Sequence, residues 1–186
     1  MPVCLIVPCY NEAGRLNSEV LATFVATNPA CHLCLVNDGS TDTTGPVIDA
    51  LSARHPEQIE ALHLEQNQGK AEAVRRGMFH ATDKSRFDIV GYWDADLAVP
   101  LTELPAMLTS VAAGTGRTVA LGSRLRRLGS SIDRGAVRHT LGRAFATAAS
   151  VVLGLPVYDS QCGAKIFHAA LVPCLVRRTL QHSVVV

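Results

Sequence analysis

The chain reads as an α/β fold, a mostly parallel sheet covered by helices on both faces, on three observations. Apolar runs of strand length alternate with segments of helical length through the first half of the sequence. Polar clusters follow those runs at 8–12, 37–42 and 94–96, where the carboxyl ends of parallel strands would reach solvent and where ligands bind in such sheets. With 186 residues, 48% of them hydrophobic, the chain is long enough to bury one sizeable core.

The elements follow in order. Residues 3–8, Val-Cys-Leu-Ile-Val-Pro, are the first apolar run, and a helix is expected near 15–27. The second run, 33–36, precedes a helix near 43–54. The third, 59–64, precedes a helix over 70–81, and the fourth, 87–93, leads to a helix that starts near Thr102. No internal repeat, low-complexity stretch or linker interrupts them, so residues 1–186 are expected to form one domain.

Asp94 and Asp96 end the fourth run, in Ile89-Val-Gly-Tyr-Trp-Asp-Ala-Asp-Leu97. Two bare carboxylates would repel a nucleotide diphosphate, so an Asp-x-Asp pair facing such a ligand needs a divalent cation between them. Hard oxygen ligands select Mg²⁺ or Mn²⁺. The plainer alternative is that one Asp caps the helix near Thr102 while the other is solvated. Asn67-Gln-Gly-Lys70 opens a helix and places a lysine and backbone N–H groups where an anion could be held.

Several classes are disfavoured. The phosphate-binding Gly-x-x-x-x-Gly-Lys-Ser/Thr loop and the Gly-x-Gly-x-x-Gly fingerprint are both missing, which argues against an NTPase or a dehydrogenase. Cys31-x-x-Cys34 has no second Cys or His pair at matching spacing. Three residues apart in a strand, the two thiols would face opposite ways. The six cysteines are therefore read as buried and reduced for the most part. No run approaches the roughly 20 apolar residues needed to cross a bilayer. The first residues, Met-Pro-Val-Cys-Leu-Ile-Val, lack the features of a signal peptide, so a cytoplasmic location is expected.

The net charge is only +1, yet between Arg117 and Arg143 seven arginines (Arg117, Arg124, Arg126, Arg127, Arg134, Arg138, Arg143) face the single acid Asp133. The planar fork of arginine suits a phosphate; a solvated basic face is the alternative. From Val137 to Leu153 a basic start gives way to an apolar finish. That pattern fits either an interfacial helix at a membrane surface or an ordinary core helix.

Val7-Pro-Cys-Tyr-Asn-Glu12, Val36-Asn-Asp-Gly-Ser-Thr-Asp42, Asn67-Gln-Gly-Lys-Ala71, Asp94-Ala-Asp96 and Gly122-Ser-Arg124 resemble, in that order, the successive motifs of family 2 glycosyltransferases with the GT-A fold. The likeness runs from Val3 to about Phe167. Tyr158-Asp-Ser-Gln-Cys-Gly-Ala-Lys-Ile-Phe167 is similar to a segment of the dolichyl-phosphate β-glucosyltransferases and of bacterial enzymes that glycosylate polyprenyl phosphates. Mannose-transferring relatives commonly carry Gln two residues after the second Asp, where this chain has Ala98. The resemblance therefore leans towards UDP-glucose over GDP-mannose as donor.

The resemblance implies that Pro8, Tyr10 and Glu12 contact the nucleoside, that Asp38 reads the base or ribose, and that Lys70 helps hold the donor. Asp96 would be the principal metal ligand, and Asp94 would contact the donor sugar, the ribose or the metal shell. Arg124 and Arg138 would hold the phosphate of a polyprenyl-phosphate lipid, with the protein peripheral on the cytoplasmic face of a membrane. No nucleic-acid partner is expected. Asp94, Asp96 and Arg124 would carry an inverting displacement. A phosphate monoester is mostly dianionic at neutral pH, its second pKa being about 6, so no strong general base is required. Asp159 is the first candidate if one is. Plain structural roles remain open for Tyr10, packing on the following helix, and for Asp38 and Asp42, capping the next one. Relatives continue well past Gln161-Cys-Gly-Ala-Lys165, whereas this sequence stops at Val186, so donor binding is expected to survive more readily than turnover. A donor-binding form without transfer activity is the alternative.

Overall fold

The computed structural model describes residues 1–83, 85–114, 116, 118–122 and 162–177. They form one six-stranded sheet of order β3-β2-β1-β4-β6-β5. The first four strands are β1 (Val3–Cys9), β2 (Cys31–Asp38), β3 (Ile59–Leu64) and β4 (Ile89–Trp93), and their neighbours all pair in parallel. Parallel strands need crossovers. These are the helices α1 (Ser18–Thr27), α2 (Thr44–Arg54) and α3 (Lys70–Asp83). After β4 a 3₁₀ turn (Leu101–Glu103) leads into α4 (Leu104–Ala113), and a short helix α5 (Val172–Arg177) ends the described chain.

The expected elements are present with shifted ends. β3 coincides with 59–64, and β2 is longer than 33–36 at both ends. α1 starts at Ser18 rather than near 15, for a local reason. The Glu12 carbonyl accepts the N–H groups of Arg15 and Leu16, forming a turn, and Asn17 then caps the helix by accepting the Val20 N–H. Two strands had no counterpart in the sequence reading: β5 (Val119–Leu121) and β6 (Ala164–His168). β6 runs antiparallel to β4 and to β5, so the sheet is parallel from β3 to β4 and antiparallel beyond it.

Both faces are covered. On one, Leu21 and Val25 of α1, Ile48 and Leu51 of α2, and Leu104 and Val111 of α4 pack on Val3, Leu5 and Val7. On the other, Ala73, Val74 and Met78 of α3 and Val172 and Val176 of α5 cover Cys4, Ile6 and Val36. Cys31 joins the first core and Cys34 the second, as their spacing in a strand requires. Of the six cysteines five are buried and Cys174 is exposed; none is paired in a disulfide. No described helix is long and apolar enough to cross a membrane.

Arg117, the segment 123–161 with Arg124, Arg126, Arg127, Arg134, Arg138, Arg143 and Asp159, and the terminal residues 178–186 lie outside the described residues.

Candidate functional site

At the carboxyl ends of the parallel strands lies an open cleft of about 350 Å³, lined by Pro8, Cys9, Tyr10, Glu12, Arg15, Asp38, Asn67, Lys70, Asp94, Ala95 and Asp96. The fold thus brings Pro8, Tyr10, Glu12, Asp38, Lys70, Asp94 and Asp96 into one crevice from four loops.

The loop after β1 is knitted to the loop after β2. Asn11 has a left-handed backbone, φ 53°, which Asn tolerates better than most residues. Its side-chain oxygen accepts the Thr41 N–H at 2.9 Å, and its own N–H donates to Ser40 Oγ at 3.0 Å. The Glu12 N–H donates to Thr44 Oγ1 at 2.8 Å. Asp42 receives the N–H groups of Thr44 (2.9 Å) and Ala13 (3.3 Å), so it caps the start of α2 as the plainer reading allowed. Its carboxyl is held below its ordinary range, first by the Thr44 hydroxyl and then by backbone N–H groups. Glu12 holds the Arg15 guanidinium through two bonds, of 2.8 and 2.6 Å. Tyr10 is 45% exposed. Cys9 also lines the cleft, but burial, helped by the Glu12 charge, pushes its thiol up to about 12.

Asp38 caps no helix of its own strand's making. It is 2% exposed, and its two oxygens accept the N–H groups of Gln68 and Gly69, each at 2.9 Å. That fork fixes the turn that starts α3 and so places Lys70, the first residue of the helix. Gly39, at φ 63°, permits the approach: a side chain there would overlap the backbone of Gln66 and Asn67.

The fourth loop is built differently. Trp93 is fully buried, and its indole N–H donates to the Val99 carbonyl at 2.7 Å, closing the loop 94–98 over it. The Leu97 N–H turns back to the Asp94 carbonyl, with Leu97 in the left-handed region at φ 49°, a cost of about 1–2 kcal/mol. Asp96 is exposed. One of its oxygens accepts the Ala98 N–H at 3.0 Å, so neither Asp caps the helix near Thr102. Asp94 Oδ1 is buried and has no hydrogen-bond partner. Lys70 Nζ lies 2.5 Å from it, an ion pair by distance without the alignment of a hydrogen bond.

A carboxylate oxygen without a hydrogen bond, beside a second carboxylate in an open cleft, fits Mg²⁺ or Mn²⁺, which is held by one or two carboxylates plus substrate phosphates rather than by a closed protein cage. No cluster of three or more His, Cys, Asp or Glu able to hold a metal occurs among the described residues.

The sequence reading passed over three residues. Asn11 could have been found as an Asn in a loop joining strand to helix. Arg15 had been placed inside a helix. Gly163 stands against Asp94, and its carbonyl accepts the Asp94 N–H at 2.8 Å. Arg124, Arg138 and Asp159 lie outside the described residues.

The model of a family described as Glycosyl transferase family 2 matches residues 4–175. A dolichyl-phosphate beta-glucosyltransferase of Trichomonas vaginalis is 30% identical over 174 residues, covering 87% of this chain and 50% of that protein. An undecaprenyl-phosphate 4-deoxy-4-formamido-L-arabinose transferase of Shewanella sediminis is 29% identical over 148 residues, 75% of this chain and 44% of its own. The chain thus spans about half the length of these relatives. Among solved structures, a mannosyltransferase from Pyrobaculum calidifontis in complex with GDP-Man and Mn²⁺ superposes with a TM-score of 0.60. It is 22% identical, covering 93% of this chain and 46% of that one, a likeness of fold.

Proposed function

This chain belongs to glycosyl transferase family 2, and from that premise we propose that it serves an inverting, metal-dependent transfer of a sugar from a nucleotide-sugar to a polyprenyl phosphate. The observation that carries the reading is the buried Asp94 Oδ1, without a hydrogen bond and ion-paired to Lys70, in a cleft shared with Asp96. In the described structure the Lys70 ammonium, 2.5 Å away, meets the charge of this buried oxygen, and a divalent cation entering the cleft would share it.

In this reading Asp96 and Asp94 hold Mg²⁺ or Mn²⁺, which when bound supplies positive charge against the departing nucleoside diphosphate. Lys70 adds a second positive charge at the same end of the cleft, set in place by the Asp38 fork. Pro8, Tyr10 and Glu12 line the nucleoside end. Asp38 is already occupied by two backbone N–H groups, so any contact with base or ribose uses its remaining lone pairs. Arg124 and Arg138 hold the acceptor phosphate, whose dianion attacks the anomeric carbon without handing a proton to a side chain. The substrate's lipid places the protein at a membrane surface, on the cytoplasmic face.

UDP-glucose is the donor favoured. Ala98 stands where mannose-transferring relatives commonly have Gln, and the Trichomonas relative is described as a glucosyltransferase. Incubating the protein with labelled UDP-glucose or GDP-mannose and polyprenyl phosphate tests the reading. Labelled lipid from UDP-glucose is expected; labelled lipid from GDP-mannose alone would reverse the donor. No product from either, with nucleotide still bound, would leave a donor-binding form.

A further inference from the structure

We infer that Gly163 is a positioning residue: the missing side chain at 163 selects the rotamer of Asp94 that points at Lys70 and the cleft. The inference rests on the proposed use of Asp94 for its functional meaning, though not for its geometry.

A Cβ built on Gly163 would overlap Oδ2 and Cγ of Asp94 and come within 2.9 Å of its Cβ. Something must yield, and the surroundings decide what. The backbone around 163 is pinned on several sides. The Gly163 carbonyl accepts the Asp94 N–H at 2.8 Å, and the Ala164 carbonyl accepts the Gly122 N–H at 2.8 Å. Ala164 is paired with Trp93 across the antiparallel ladder. Lys165 Nζ donates to the Cys162 carbonyl at 2.7 Å and to the Tyr92 hydroxyl at 2.6 Å, tying the start of β6 to β4 by a side chain as well. A large movement of this backbone would break several bonds at once, whereas the Asp94 carboxylate gives up at Oδ1 a partly exposed ion pair with Lys70 and no hydrogen bond. The side chain therefore turns to relieve the overlaps with Oδ2 and Cγ, and a small backbone shift is left to relieve the 2.9 Å approach of the two Cβ atoms, which no rotamer changes. Staggered rotamers lie about 120° apart, so any escape from a methyl group at 163 swings the carboxylate out of its present direction and away from Lys70.

The same geometry gives the segment 162–165 a role distinct from acid–base chemistry. It is a floor under the Asp-x-Asp loop, with Gly163 set directly against Asp94.

Gly163→Ala is the test, with two readouts. In its crystal structure, free of nucleotide, the Asp94 carboxylate should have left Lys70; a carboxylate still in contact with Lys70 would overturn the inference. In calorimetry with UDP or GDP, the gain in affinity on adding Mn²⁺ should fall at least tenfold, while metal-free affinity stays within twofold of wild type. A Mn²⁺-dependent gain kept in full would also overturn it. A merely structural role would instead lower both affinities together with the folded fraction. If wild type shows no Mn²⁺-dependent gain, the functional reading fails, and the crystal comparison still decides the inference. If Gly163→Ala does not fold, Gly163→Ala/Asp94→Gly should, because the overlapping side chain is then gone. Failure of that pair to fold would show that 163 answers to the backbone and not to Asp94.

Discussion

The two sides of the cleft are built on opposite plans. On the side of β1, β2 and β3, polar side chains are consumed by the fold itself. Asn11, Asp38 and Asp42 all hydrogen-bond to backbone N–H groups of a neighbouring loop. On the β4 and β6 side, the Asp-x-Asp loop is shaped by Trp93, by its own turn and by the nearness of Gly163, and Asp94 Oδ1 is left without a hydrogen bond. The difference teaches where to look for chemistry in a polar crevice. A carboxylate with its oxygens filled by backbone is scaffolding first; one whose buried oxygen meets a lysine ammonium and no hydrogen-bonding N–H is left for charge chemistry in the cleft.

The comparison breaks most easily at Asp38 and Asp94. Asp38→Ala takes the charged acceptor from the backbone N–H groups of Gln68 and Gly69, two charge-assisted bonds, and should cost about 3 kcal/mol in urea denaturation. Asp94→Asn should cost less than about 1 kcal/mol, because its ion pair with Lys70 is partly exposed and carries no hydrogen bond. Equal costs would erase the distinction.

A smaller effect sharpens it. Asn11→Ala removes the acceptor for the Thr41 N–H and puts a less tolerant residue at φ 53°, for a loss of about 1–2 kcal/mol. Amide exchange should speed up at Thr41 and Asp42 and not at Leu97; uniform acceleration would mean the loops are not separately built.

Acid acts on the same side through Asp42. The folded Asp42 carboxyl lies below its ordinary value of 3.8, so its contribution is whole above that value and is lost as pH falls through the lower folded one. Amide shifts of Thr44 and Ala13 followed by NMR should hold steady down to about pH 4 and move only below it. Movement centred above pH 4 would contradict the bond pattern.

Least costly is the thiol test. Cys9, buried in the cleft wall and raised to about 12, should resist alkylation at pH 8 in the folded protein, whereas exposed Cys174 reacts. Mass spectrometry of the labelled peptides reads the outcome, and alkylation of Cys9 at the rate of Cys174 would mean the wall opens.

What the sequence disclosed tracks how local each signal is. The four parallel strands stand out because each is a largely apolar segment followed by one of helical length, and the polar clusters at their ends had to meet in one crevice. β6 carries no strand signature of its own, although most of it lies within the Tyr158–Phe167 motif. It is five residues long, carries Lys165, and owes its strand conformation to pairing with β4, some seventy positions away. The partners of Asp38 are equally remote in sequence, at 68 and 69, so a helix cap nearby was the natural alternative. Gly163 had no local signature, since what it avoids is a side chain on another strand's loop. Arg15 was misplaced by the apolar periodicity, which ran smoothly through a turn closed by Glu12.

One calorimetric comparison tests the central claim most directly: UDP and GDP titrated into wild type and Asp96→Asn, each with and without Mn²⁺. If the Asp94 and Asp96 pair is a metal-dependent donor site, wild type should bind at least one of the nucleotides tenfold or more tightly with Mn²⁺, and Asp96→Asn should lose most of that gain while melting at the same temperature. Equal affinity with and without Mn²⁺ in wild type, for both nucleotides, would contradict it.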